Sequence, residues 1–189
     1  MERRELLEEV KEMADELFGR LAEGFSRRAV KSGLIYRLGK RVLASRKGRF
    51  NLEATWLMAQ FALEELAKAF SGRHPVAWTS AFAPTEILYA LGIVPFSPEI
   101  ASALLAAIGL SSRGLNSAEE AWYSRDTCSF HRCAMGWALE DYLPRPDFLI
   151  SMSHLCDGAP KLFRNLAEHY GAKFYLIDTP YISDYANIM

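Results

Sequence analysis

The sequence predicts an α/β protein: a three-layer, Rossmann-like or flavodoxin-like domain with a parallel sheet, preceded by an α-helical N-terminal region. Three observations lead there. Up to about Phe70 the apolar residues recur at helical spacing. From His74 onward short apolar runs alternate with helical stretches, and proline opens while glycine closes several of those stretches. Strands alternating with helices argue for right-handed βαβ units and a sheet covered on both faces. The division expected is 1–73 for the helical region and 74–189 for the α/β domain.

Each element has its own signal. Leu6, Leu7, Val10, Met13, Leu17 and Leu21 draw one stripe along an amphipathic helix from Glu2 to about Phe25. A second helix is expected from Ser26 to Ser45, and a third in NLEATWLMAQFALEELAKAF, with Asn51 as N-cap and an end before Gly72. VAWTSAF then reads as a buried strand, PTEILYALG as a short helix closed by Gly92, IVPF as a strand and SPEIASALLAAIGL as a helix with Pro98 in its first turn. SFHRCAMGWALEDY reads as a helix, DFLISMS and AKFYLID as strands, and GAPKLFRNLAEHYG as the helix between them, stopped by Gly171. Trp78, Trp122 and Trp137 are expected in the core, with Glu86 and Asp157 as capping acids.

Composition excludes some classes. A chain that is 50% hydrophobic and 24% charged is not disordered. No apolar stretch reaches the ~18–20 residues of a membrane span, and the start carries charges where a signal peptide is apolar, so the expected location is the cytoplasm. Three cysteines without an export signal point to reduced thiols, a metal site or plain packing rather than a disulfide framework. Net charge is −1, yet ten Lys or Arg lie between Arg20 and Arg49 against one acid, Glu23. Such a segment attracts polyanions, phosphate-bearing ligands among them, with Arg37, Lys40 and Arg41 grouped on a helix; a solvated helical face explains it equally well.

The thiols lie in SRDTCSFHRCAMG, residues 124–136, and SMSHLCDGAP, residues 151–160. Cys156 falls just past a strand end and before a helix, where parallel sheets place ligands, and Cys128 also precedes a helix. A helix N-terminus favours a thiolate, so both suit metal ligands or nucleophiles. Cys133 falls inside the helix. The spacing matches no common tetrahedral zinc pattern, C-x-x-C is absent, and a Cys–His pair has His131 and His154 as candidates; iron–sulfur ligation tolerates the irregular spacing.

Taken in order, HPVAWTSAFAPTEILYALGIVPFSPE, SRDTCSFHRCAMG, RPDFLISMSHLCDGAPKLF and KFYLIDTPY resemble the 2-hydroxyacyl-CoA dehydratase and benzoyl-CoA reductase family, from about His74 to Tyr181. The resemblance implies a subunit that holds a [4Fe-4S] cluster and receives one electron from an ATP-dependent activator protein. That electron forms a ketyl radical on an acyl-CoA thioester, most often for 2-hydroxyacyl-CoA dehydration, with a homologous partner subunit. The protein's share is orientation, electrostatics and exclusion of water.

Residue by residue, the resemblance makes Cys128 and Cys156 cluster ligands and leaves Cys133 outside the ligand set. Glu99 matches an acid near the substrate, a catalytic candidate for proton transfer; an ordinary first-turn acid facing the helix dipole is the competing reading. Ala81 stands where relatives carry a serine, with Ser80 beside it. His131 and Arg132 either line the cluster pocket or sit on the helix surface. Members of the family are longer and bring a further cluster cysteine from a second lobe, so the expectation is a fragment, a split subunit or a chain without catalysis, inactive alone. The alternative function is a non-catalytic partner or nucleic-acid-binding protein with a vestigial cysteine site. Nucleic acid is the weaker partner because the basic segment lacks interleaved exposed aromatics.

Overall fold

A computed structural model describes residues 27–45, 53–107 and 109–179. The amphipathic stretch at Glu2–Phe25 and the Asn51 cap lie outside the described residues. The helix expected from Ser26 to Ser45 is interrupted: residues 27–30 form one turn, and α1 begins afresh at Gly33–Ala44. The break is local chemistry. Ser32 adopts an extended conformation and its hydroxyl accepts the Leu34 N–H at 3.3 Å, the geometry of an N-cap. Gly33 then passes so close to α2, Glu53–Ala69, that a Cβ there would stand 2.8 Å from the Ala67 carbonyl oxygen.

Beyond Pro75 the chain alternates as expected. Strand β1 (Val76–Thr79) leads through α3 (Thr85–Ala90) to β2 (Val94–Phe96). Three helices follow, α4 (Pro98–Ala107), α5 (Ser111–Glu120) and α6 (Ser129–Leu139), then β3 (Phe148–Met152), α7 (Gly158–Tyr170) and β4 (Lys173–Ile177). Gly171 closes α7 in the left-handed conformation at φ 63°, which glycine adopts without a Cβ clash. Helix α5 is absent from the sequence-based expectation. It docks on α6 almost backbone to backbone: a Cβ on Gly136 would lie 1.7 Å from the Gly114 carbonyl oxygen.

All strands pair in parallel, in the order β2-β1-β3-β4. Trp78 and Leu149 are register partners and share a face, where they meet the apolar side of α7 through Phe163 and Leu166. The Trp78 ring packs against Phe96 and Tyr170, and its indole N–H donates to the Pro144 carbonyl at 3.0 Å. Of the tryptophans expected in the core, Trp78 and Trp137 are buried. Trp122 is 95% exposed, because it ends α5 in a left-handed turn at φ 68° that turns its side chain outward.

Every residue of β1 is buried, so both faces of the sheet are covered there. At the other edge the expected cover is incomplete among the described residues. Phe148, Ile150 and Met152 alternate along one face of β3 and are only half-buried, and their register partners on β4 include exposed Tyr175 and Ile177. The β1–β2 connection runs one way across the sheet and β2–β3 the other. The order therefore reverses between β1 and β3, and the chain segments leaving their carboxyl ends diverge into a crevice, the usual ligand position of such folds.

Candidate functional site

The crevice is built from four segments. Beyond β1, Ser80 is buried; its N–H donates to the Ile150 carbonyl at 3.0 Å and its hydroxyl accepts the Met152 N–H at 3.2 Å, which ties the ends of β1 and β3 together. The next residue, Ala81, points its N–H at Glu99 Oε2, 2.6 Å away. Glu99 stands in the first turn of α4, and its other oxygen, Oε1, lies 2.9 Å from Nε2 of His131 in the first turn of α6. Both carboxylate oxygens are thus engaged. An ionised carboxylate only accepts, so the proton of a neutral His131 sits on Nε2.

His131 is 4% exposed, and the same Nε2 lies 4.0 Å from Cys156 Sγ. The chain reaches Cys156 from β3 through Leu155 in a left-handed conformation at φ 75°, an unusual one for a branched residue. Gly158, which opens α7, completes the group: a Cβ there would meet the His131 ring at 2.9 Å and Cys156 Sγ at 3.7 Å. The glycine leaves room for ring and sulfur to lie side by side. Asp157, expected as a capping acid, makes no side-chain cap bond, because it already holds a helical conformation.

Cys128 is the N-cap residue of α6, one turn before His131, and its thiol is exposed. Its loop is braced from α5. Glu119 accepts Arg125 Nε at 2.7 Å and pairs with Arg132, whose Nε donates to the Thr127 carbonyl at 3.1 Å. Arg132, left open between a pocket and a surface role, is therefore the support of the loop that carries Cys128. Cys133 lies inside α6, 3% exposed, in the apolar core, and burial pushes its thiol pKa up. His154 stays exposed beyond β3.

The structure thus brings Glu99, His131 and Cys156 together and sets Cys128 at the same end of α6. Among the described residues no group of three or more His, Cys, Asp or Glu is arranged to hold a metal ion. The donor set is nevertheless suited to part of an iron–sulfur site: two unpaired, accessible thiols at loop-to-helix junctions, with the third thiol buried away. Sequence reasoning missed the contact of Glu99 with His131 and the part of Gly158. The glycine directly after Cys-Asp at a helix start was the available signal.

The chain's similarities identify its family. The family model described as 2-hydroxyglutaryl-CoA dehydratase, D-component, matches residues 80–188, beginning immediately after β1. The (R)-phenyllactyl-CoA dehydratase alpha subunit of Clostridium sporogenes is 29% identical over 111 residues, 56% of this chain and 27% of that protein. The (R)-2-hydroxyisocaproyl-CoA dehydratase alpha subunit of Clostridioides difficile is 27% identical over 139 residues, 68% and 34% of the two chains. The lactoyl-CoA dehydratase subunit alpha of Anaerotignum propionicum is 26% identical over 152 residues, 69% and 36%. These matches span about a quarter to a third of the relatives' length. The family match covers more than half of the residues and contains Glu99, His131 and both accessible cysteines, so the chain belongs to the 2-hydroxyglutaryl-CoA dehydratase D-component family.

Proposed function

We propose that this chain is the cluster-holding α/β domain of a 2-hydroxyacyl-CoA dehydratase subunit, with Cys128 and Cys156 as thiolate ligands of a [4Fe-4S] cluster. The observation that carries the reading is the address of the two thiols. Both stand at helix N-termini, one beyond β3 at the reversal of strand order and one on the helix that delivers His131. When bound, the cluster supplies one-electron chemistry.

The residues of the chain supply the rest. Glu99 and His131 form a fixed polar wall next to Cys156. Glu99 accepts from both Ala81 and His131, so its role in proton transfer to or from an acyl-CoA requires one of these contacts to open. A cluster needs more ligands than two thiols, and these come from a partner lobe or subunit, with electrons from an ATP-dependent activator.

Anaerobic reconstitution with iron and sulfide tests the ligand assignment. Cys128→Ala or Cys156→Ala abolishes the cluster absorbance, while Cys133→Ala retains most of it. Equal loss in all three variants would overturn the assignment.

A further inference from the structure

The α1–α2 helices carry a second chemistry at the other end of the sheet. Two adjoining concavities of about 270 and 320 Å³ share Arg37 and Lys40; the first also reaches Lys68, Ser71, Arg73 and His74, and the second reaches Arg41. Ser71 to His74 form the turn that enters β1, so this cleft opens at the amino edge of the strands, opposite the crevice that holds Cys156.

The charges of the basic segment are divided between two tasks. Arg27 and Lys31 face Glu140 and Asp141, which fastens the segment to the end of α6. In the cleft, Glu64 is the single lining acid. Lys40 donates to it at 2.5 Å and Lys68 lies 3.5 Å away, bridging on to Glu65 at 2.7 Å. Arg37, Arg41 and Arg73 have no carboxylate partner among the described residues. Five cations against one lining acid, in a chain of net charge −1, is a local excess that ordinary surface balance does not explain.

We propose that this cleft binds the phosphate groups of a compact, multiply charged anion, the di- or triphosphate of a nucleotide or the diphosphate of coenzyme A. Guanidinium groups pair with phosphate oxygens two at a time, and each concavity offers two that have no carboxylate partner among the described residues, Arg37 with Arg73 in the first and Arg37 with Arg41 in the second. A carboxylate ligand would leave most of this charge unmatched. Single-stranded nucleic acid is the poorer fit, because no Phe, Tyr or Trp lines the cleft to stack a run of bases. The site lies apart from both thiols and stands or falls independently of the cluster assignment.

Calorimetric titration of the purified apo chain with pyrophosphate, ADP, CoA and a random 20-nucleotide single strand at low and high salt tests it. The expected result is saturable binding of pyrophosphate and at least one of ADP and CoA, weakened by salt. In the Arg37→Ala/Arg73→Ala variant that binding falls at least tenfold, whereas Arg28→Ala, which changes an arginine that does not line the cleft, leaves it within twofold. Preference for CoA over ADP identifies the coenzyme as the source, and the reverse identifies a free nucleotide. Circular dichroism establishes that the variants are folded, and Arg37→Lys, which keeps the charge, retains part of the affinity. No binding at millimolar ligand in low salt, equal loss in the Arg28 variant, or tighter binding of the oligonucleotide than of every small anion would each overturn the proposal.

Discussion

Three thiols of one chemical type occupy three environments here, and reactivity ranks them. Cys128 is exposed, Cys156 is half-buried beside His131, and Cys133 is enclosed by the core with its pKa raised first by desolvation. The thiolate is the reactive species, so iodoacetamide mapped by mass spectrometry labels Cys128 first and Cys156 more slowly, and reaches Cys133 only when the protein unfolds. Labelling of Cys133 at the pace of Cys128 in the folded chain would contradict its burial. Substitution of Gly158 reports on the neighbouring contact. In Gly158→Ala the new methyl group meets the His131 ring at 2.9 Å, and the expected result is a changed rate at Cys156 with the rate at Cys128 preserved.

At the scale of elements, the end of α6 works as a fastening point. Glu140 follows the helix and accepts from Ser117 at 2.6 Å and Arg113 at 2.8 Å, with Arg27 further off, so one carboxylate links α5 and the basic segment to α6. The Ser117 hydroxyl, and then Arg113, hold its pKa below the usual carboxylate range. A lowered native pKa contributes stability above the unfolded value, about 4.3, and loses it as the pH falls through the native value. Urea unfolding between pH 3 and 7 should therefore show Glu140→Gln less stable than the parent at neutral pH, with the difference closing below about pH 4. Helix α5 itself is fixed by the Gly114–Gly136 approach. Gly136→Ala should cost roughly 3 kcal/mol or displace α5, seen as a fall in the urea midpoint. The same helix shows where sequence reading stopped. SSRGLNSAEE has few apolar residues, and its buried positions are Gly114 and Ala118, so it carries no stripe for a periodicity argument to find. The parallel strands, α7 and its Gly171 stop were legible because their apolar runs and terminators are local signals. The Glu99–His131 contact was not, since it joins residues 32 positions apart that only the fold brings together.

For the molecule as a whole, the strand order reverses beside β1, and Glu99, His131 and Cys156 gather beyond the carboxyl ends of the strands there. On the proposed function, two thiols leave a cluster incompletely ligated and its cleft open to water. The chain mixed anaerobically with activator, ATP, reductant and a panel of 2-hydroxyacyl-CoA thioesters should give no turnover until a partner lobe or subunit is added. Turnover by the chain alone would show that it supplies every ligand itself. The pairing of β1 with β3 has a further consequence for how such a protein is made. Ala77 meets Phe148, 71 positions further along the chain, and Cys156 is carried to the crevice only after that long-range pairing has formed. A nascent chain has already exposed Cys128 by then, but lacks the wall of Glu99, His131 and Gly158 against which the second thiol rests. On the proposed function, delivery of iron and sulfide therefore follows translation and folding of the sheet, and the cluster is loaded on a finished domain.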